Sequence, residues 1–129
     1  MSTLGQIDLN QLIQQLSDSA DPVMYQYFKN LQNRTIVINE DIGEASIETV
    51  VLPLLEMDND GTGKPIKILL NTNGGDVGVG LLICDVIENL KTPTEIILLA
   101  NGYSMGSLIL MSAYNNPNVT RKCYRFSTE

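Results

Sequence analysis

Apolar positions along the chain switch between two periods. In IDLNQLIQQLSD, Leu9, Leu12, Ile13 and Leu16 recur at helical spacing and predict a first helix with one narrow apolar stripe. Asp21-Pro22 then supplies an N-cap and a first-turn proline, so VMYQYFKNLQN is predicted as a second helix. From Arg34 the period shortens. RTIVIN is a β-branched run and predicts a strand. EASIETVVLPLLEMD returns to helical spacing through Ile47, Val50, Val51, Leu54 and Leu55, and Pro53 should kink or divide that helix. After the turn-rich NDGTGKP, PIKILLN predicts a second strand whose apolar run suits a sheet covered on both faces. TNGGDVGVG leads into a helix through GLLICDVIENLK. TEIILLAN is a third strand, SMGSLILMSAYNN another helix, and TRKCYRF, after the loop NNPN, a fourth strand.

Strand and helix thus alternate about four times from residue 34 onward, which predicts an α/β fold with a mostly parallel sheet flanked by helices. Residues 1–33 read as a helical N-terminal extension, and residues 34–129 as the α/β domain. In such folds reactive groups gather in the loops at the carboxyl ends of the strands. Two glycine-containing loops fall at that edge: Asn73-Gly74-Gly75 and Gly102-Tyr103-Ser104-Met105-Gly106.

Composition narrows the partners. Eight basic against fifteen acidic residues give a formal charge of −7, which opposes binding to nucleic acid or an anionic membrane. No window approaches the roughly 18 apolar residues of a membrane span, and the N-terminus has no signal-peptide pattern, so a cytoplasmic setting is expected. Cys84 and Cys123 lie within apolar patterns and are expected to be reduced. Two thiols without a histidine make a poor zinc site, so no metal or other cofactor is expected.

Ser104 is the candidate for chemistry. A serine hydroxyl needs a nearby base and donors for the oxyanion that forms on the attacked carbonyl. A strand-to-helix turn exposes the hydroxyl and leaves first-turn N–H groups free, with that of Met105 a natural donor. The bland alternative is that Ser104 simply caps the helix. Gly74-Gly75 is either an ordinary turn or a second backbone donor with no side chain in the way. A phosphate cradle is disfavoured, because G-K-[ST] is missing and Asp76 would repel a phosphate at the helix start.

Taken together, these segments resemble the proteolytic subunit of the Clp protease over residues 34–129. RTIVINEDIGEASIETVVLPLLEMD is similar to that family's opening strand, acidic turn and helix. KILLNTNGGDVGVGLLICDVIENLKTP resembles its strand, double-glycine loop and following helix, and NGYSMGSLIL its nucleophile turn. The interval from Gly75 to Ser104 also fits. The resemblance implies the ClpP/crotonase fold and a serine peptidase with Ser104 as nucleophile and the N–H groups of Gly75 and Met105 as oxyanion hole. It implies that Asp76, Val77 and Gly78 pair with an extended substrate as an added strand. It further implies unfolded polypeptide substrates, homo-oligomeric rings, commonly heptameric, and an ATP-driven AAA+ unfoldase as partner.

The chain departs from the pattern in four places. Asn73 stands where the family has proline, Tyr103 where it has a small residue, and the loop NNPNV is a few residues longer than the family's turn. No histidine occurs anywhere, although the family's histidine follows the fourth strand and its aspartate lies further on. The expectation is therefore a peptidase domain incomplete at its C-terminus and inactive in this form. A non-catalytic scaffold or regulatory subunit is one alternative, and Ser-Lys chemistry with Lys122 as the base is a remoter one. An α/β-hydrolase would share the serine elbow, and a crotonase-like enzyme the paired backbone donors.

Overall fold

Four strands form one sheet in the order β1-β2-β3-β4, with every neighbouring pair parallel. They are β1 Thr35–Ile38, β2 Ile66–Thr72, β3 Thr94–Gly102 and β4 Val119–Ser127. This computed structural model describes residues 10–11, 13–15 and 21–127. The helices are α1 Pro22–Gln32, α2 Leu52–Asp58, α3 Val77–Glu88 and α4 Met105–Met111. A π-helical turn, Ile47–Val51, leads into α2, and a 3₁₀ turn, Ser112–Asn115, extends α4. Spatial order equals chain order, so right-handed crossovers place successive helices on one face of the sheet. The π turn, α3 and α4 accordingly pack side by side.

The core lies between that helical layer and the sheet. Ile36, Ile68 and Ile96 share one row across β1, β2 and β3, and Ile38, Leu70 and Leu98 the next. All six are buried, and Val50, Leu54, Ile83, Ile87 and Ile109 from the helical layer belong to the same cluster. Each such side chain contributes about 1.5–3 kcal/mol by leaving water. The other face is less covered than the apolar run of β2 led us to expect. Lys67 is exposed, and Leu69 and Asn71 are half-buried. The run IKILLNT therefore alternates as a strand with one well-packed face.

Local chemistry accounts for the element ends. Asp21 caps α1, its side chain accepting from the Met24 N–H at 3.2 Å, with Pro22 in the first turn. Residues 10–11 and 13–15 are helical, as the first stripe predicts, whereas Leu9, Leu12 and Leu16 lie outside the described residues. Pro53 divides its helix as expected. It has no N–H to give, and the turn before it widens so that the Leu52 N–H reaches the Ile47 carbonyl five residues back. Arg34 closes the loop before β2, donating to the carbonyls of Met57, Lys64 and Pro65 and pairing with Asp60.

One irregularity bears on the site. Leu70 is in register with Leu98, but Thr72 pairs with Gly102, so β3 carries two more residues than β2 over that interval. Ala100, inside the bulge, has φ +68°. The bulge turns the end of β3 toward the end of β2. No helix among the described residues is long and apolar enough to cross a membrane.

Candidate active site

The carboxyl ends of β1, β2 and β3 bring three loops together, and Thr72 joins them. Its buried hydroxyl donates to the Glu40 carbonyl at 2.6 Å and accepts from the Gly74 N–H at 3.1 Å. Its own carbonyl accepts from the Tyr103 N–H at 3.1 Å. Its methyl lies so close to Gly106 that a Cβ there would stand 2.7 Å away. Beside it, Asn71 donates to Asn39 Oδ1 at 2.8 Å and accepts from the Asn101 N–H at 3.0 Å. The three strand ends are thus laced by two consecutive side chains of β2.

The double glycine is held from both sides. Ile42, in the loop after β1, donates its N–H to the Gly74 carbonyl at 2.8 Å and accepts from the Asp76 N–H at 2.8 Å. A Cβ on Gly75 would meet the Ile42 carbonyl oxygen at 2.2 Å, and a Cβ on Gly74 would meet Ser104 Cβ at 2.8 Å. Both residues also have positive φ, +107° and +143°. Only glycine permits this approach of main chain to the serine turn.

Ser104 occupies the N-cap position of α4 but does not cap it. Its side chain makes no capping hydrogen bond, in contrast to Asp21 on α1 and Asp76 on α3. Its backbone, at φ +52° and ψ −121°, is far from the extended conformation of an ordinary N-cap. Such a conformation in a non-glycine residue costs on the order of 1–3 kcal/mol and is over-determined by the surroundings. Here those surroundings are Gly74, the Thr72–Tyr103 bond, and the Ser104 carbonyl, which accepts from Ser107 N–H and Oγ. The Ser104 residue is exposed. The capping reading is thereby excluded.

Gly75 and Met105 flank this serine on the two loops, and neither N–H donates a hydrogen bond among the described residues. The Met105 side chain is buried against Gly80 of α3, which fixes the first turn of α4. Asp76 accepts from the Val79 N–H at 2.9 Å and caps α3. Val77 and Gly78 form the first turn of that helix, so of the segment Asp76–Gly78, expected to pair with a substrate, Asp76 alone is extended. Before it, Gly75 bridges Ile42 in parallel fashion.

Lys122 is not brought to Ser104. It lies opposite Ile97 in the middle of the β3–β4 pair, with its ammonium over the Tyr124 ring. The Tyr124 hydroxyl pushes the Lys122 pKa up, the wrong direction for a general base. No cluster of three or more metal-ligating side chains occurs among the described residues. Sequence reasoning gave Thr72 and Ile42 no role. Their signal is long-range pairing, which no local pattern carries.

With the geometry in place, similarity to known proteins is informative. The sequence profile of the Clp protease family matches residues 19–123. The chain belongs to the Clp protease family. It is 32% identical over 88 residues to an ATP-dependent Clp protease proteolytic subunit from Cyanophora paradoxa, covering 68% of this chain and 45% of that protein. It is 34% identical over 97 residues to proteolytic subunit 2 of Treponema pallidum, covering 75% of this chain and 48% of the relative. Against proteolytic subunit 1 of Borreliella burgdorferi it is 30% identical over 84 residues, or 65% and 43% of the two chains. The chain thus spans under half the length of these curated relatives.

Proposed function

We propose that this Clp-family chain carries the nucleophile side of a serine peptidase site. Ser104 Oγ attacks the peptide carbonyl, and the N–H groups of Gly75 and Met105 receive the oxyanion. The observation that carries this reading is the exposed, strained Ser104 at a helix start that it does not cap, packed against Gly74. Backbone donors of this kind act where charge develops in the transition state. The substrate is an unfolded polypeptide, whose backbone meets the segment at Gly75 and Asp76 that leads into α3. Ring assembly and an ATP-driven unfoldase are supported by family membership and belong to the same proposal, as does a cytoplasmic setting. The 129 residues contain no histidine to take the serine proton, so this form has negligible activity alone.

That same absence favours a second reading, a scaffold or regulatory subunit that keeps the fold without the chemistry. Imidazole added from solution distinguishes the two. A fluorophosphonate probe should label Ser104 slowly, faster with imidazole, and not at all in Ser104→Ala. If imidazole leaves the wild-type chain unlabelled, the peptidase reading fails and the scaffold reading stands.

A further inference from the structure

Asn73 stands out because everything around it is tied down and it is not. Before it, Thr72 is buried in the sheet and hydrogen-bonded on three sides. After it, Gly74 is held through its N–H by Thr72 and through its carbonyl by Ile42. Asn73 itself is exposed, and its side-chain amide makes no hydrogen bond among the described residues. It lines an open polar pocket of about 130 Å³ with Asn39, Glu40, Asp41, Asn71 and Asn101, so water reaches its amide.

The residue that follows it must be glycine, because Gly74 packs against Ser104 with no room for a Cβ. An asparagine followed by glycine is the pairing in which backbone nitrogen most readily reaches the side-chain carbonyl, since no side chain shields that nitrogen. We propose that Asn73–Gly74 is a spontaneous modification site at which the Gly74 nitrogen attacks Asn73 Cγ and water then converts the ring to aspartate or isoaspartate. The new bond joins Gly74 N to Asn73 Cγ, and the bond from Cγ to the amide nitrogen breaks. The Gly74 proton leaves with that nitrogen as ammonia. Water opens the resulting succinimide at either carbonyl.

Both products act on the serine turn. Aspartate adds a negative charge to the loop that carries the Gly75 N–H. Isoaspartate lengthens the main chain by one methylene between Thr72 and Gly74, both of which are held by the loops after β1 and β3, so the fit of Gly74 against Ser104 and Ile42 is disturbed.

The chain supplies its own comparison. Asn101–Gly102 is the same dipeptide, but Asn101 is half-buried in β3, and its N–H is held by Asn71. Gly102 is in register with Thr72 inside the sheet. The Gly74 nitrogen is held only by a rotatable hydroxyl, whereas Asn101 and Gly102 lie inside β3, Asn101 in register with Ser127 of β4 and Gly102 with Thr72 of β2.

The folded 129-residue chain should be incubated at body temperature in mildly alkaline buffer, and peptide masses and enzymatic isoaspartate methylation followed at both sites. Asn73 is expected to convert several-fold faster than Asn101, and Thr72→Val, which releases the Gly74 N–H, to convert faster still. In urea the two sites should approach the same rate. Equal or slower conversion of Asn73 in the folded chain overturns the proposal, and so does a Thr72→Val rate no higher than that of wild type under conditions where the variant remains folded. The outcome does not depend on whether Ser104 is a nucleophile, so the two proposals fail separately.

Discussion

Gly74 and Ser104 touch main chain to side chain: a Cβ on Gly74 would stand 2.8 Å from Ser104 Cβ and 3.2 Å from its Oγ. The contact also explains why the positive φ of both residues is tolerated, since each blocks the relaxation of the other. Gly74→Ala therefore combines a steric clash with a disfavoured backbone. It should lower unfolding free energy by about 1–3 kcal/mol in urea titrations. A loss no larger than that of Gly43→Ala, which has open space around it, would contradict this packing.

Ser104 should be replaceable at a gain in stability. Glycine adopts φ +52° without penalty, so Ser104→Gly is expected to stabilise the fold by about 1 kcal/mol despite its greater unfolded-chain freedom. Ser104→Ala keeps the strain and should be close to neutral. Differential calorimetry of the three proteins distinguishes strain relief from any effect of losing the hydroxyl. Equal melting temperatures for the glycine and alanine variants would refute it.

Thr72 offers a cleaner separation of shape from hydrogen bonding. Thr72→Val preserves volume but leaves the Gly74 N–H and the Glu40 carbonyl without their partner, at an expected loss of about 1–3 kcal/mol. Thr72→Ser restores both bonds and loses only the methyl packed on Gly106, and should recover most of that stability. Chemical denaturation of the pair is the measurement, and a valine variant as stable as serine would remove Thr72 from its linking role.

The Asp60 carboxyl sets part of the acid response. Desolvation pushes its pKa up, but hydrogen bonds from the Thr62 N–H and hydroxyl and the Arg34 guanidinium outweigh that and hold it at about 2. The ordinary value is 3.8, so its contribution is complete above that pH and is lost as pH falls toward 2. The side chain is 28% exposed, and the effect is correspondingly modest. Asp60→Asn should flatten the fall in melting temperature over this window, and an unchanged acid limb would show that the pair is inconsequential.

The two thiols should report folding separately. Burial first, then the carboxylates of Glu88 and Asp85, push the Cys84 thiol up. Cys123 is exposed on β4. A disulfide reagent should therefore modify one thiol in the native protein and two in denaturant. Rapid reaction of Cys84 in native buffer would show that α3 does not pack as described.

Much of this was legible beforehand, because periodicity is written in the residues that use it. The rows built on Ile36, Ile68 and Ile96 come from runs too apolar to be anything but strands, and Asp21-Pro22 and Pro53 state their helix boundary and break chemically. The two glycine loops were placed at the correct sheet edge for the same reason. Other features were out of reach. Whether Ser104 caps its helix depends on two backbone angles that no residue type dictates, and the β3 bulge at Ala100 depends on register with β2. The helical start at Val77 was out of reach too, since Asp76 serves equally as an extended residue and as an N-cap. Thr72 reads locally as the last residue of a strand. Its role exists only once Glu40, Gly74 and Tyr103 are folded around it.

Because the strands lie in the sheet in the order in which they occur in the chain, the loops meeting at Ser104 all come from one unbroken run of sequence, residues 39–106. Each parallel pair must wait for its crossover, and a polypeptide leaving the ribosome can add these units one after another as it emerges. The strained Ser104 turn and the double-glycine loop packed against it are then set within that single continuous span.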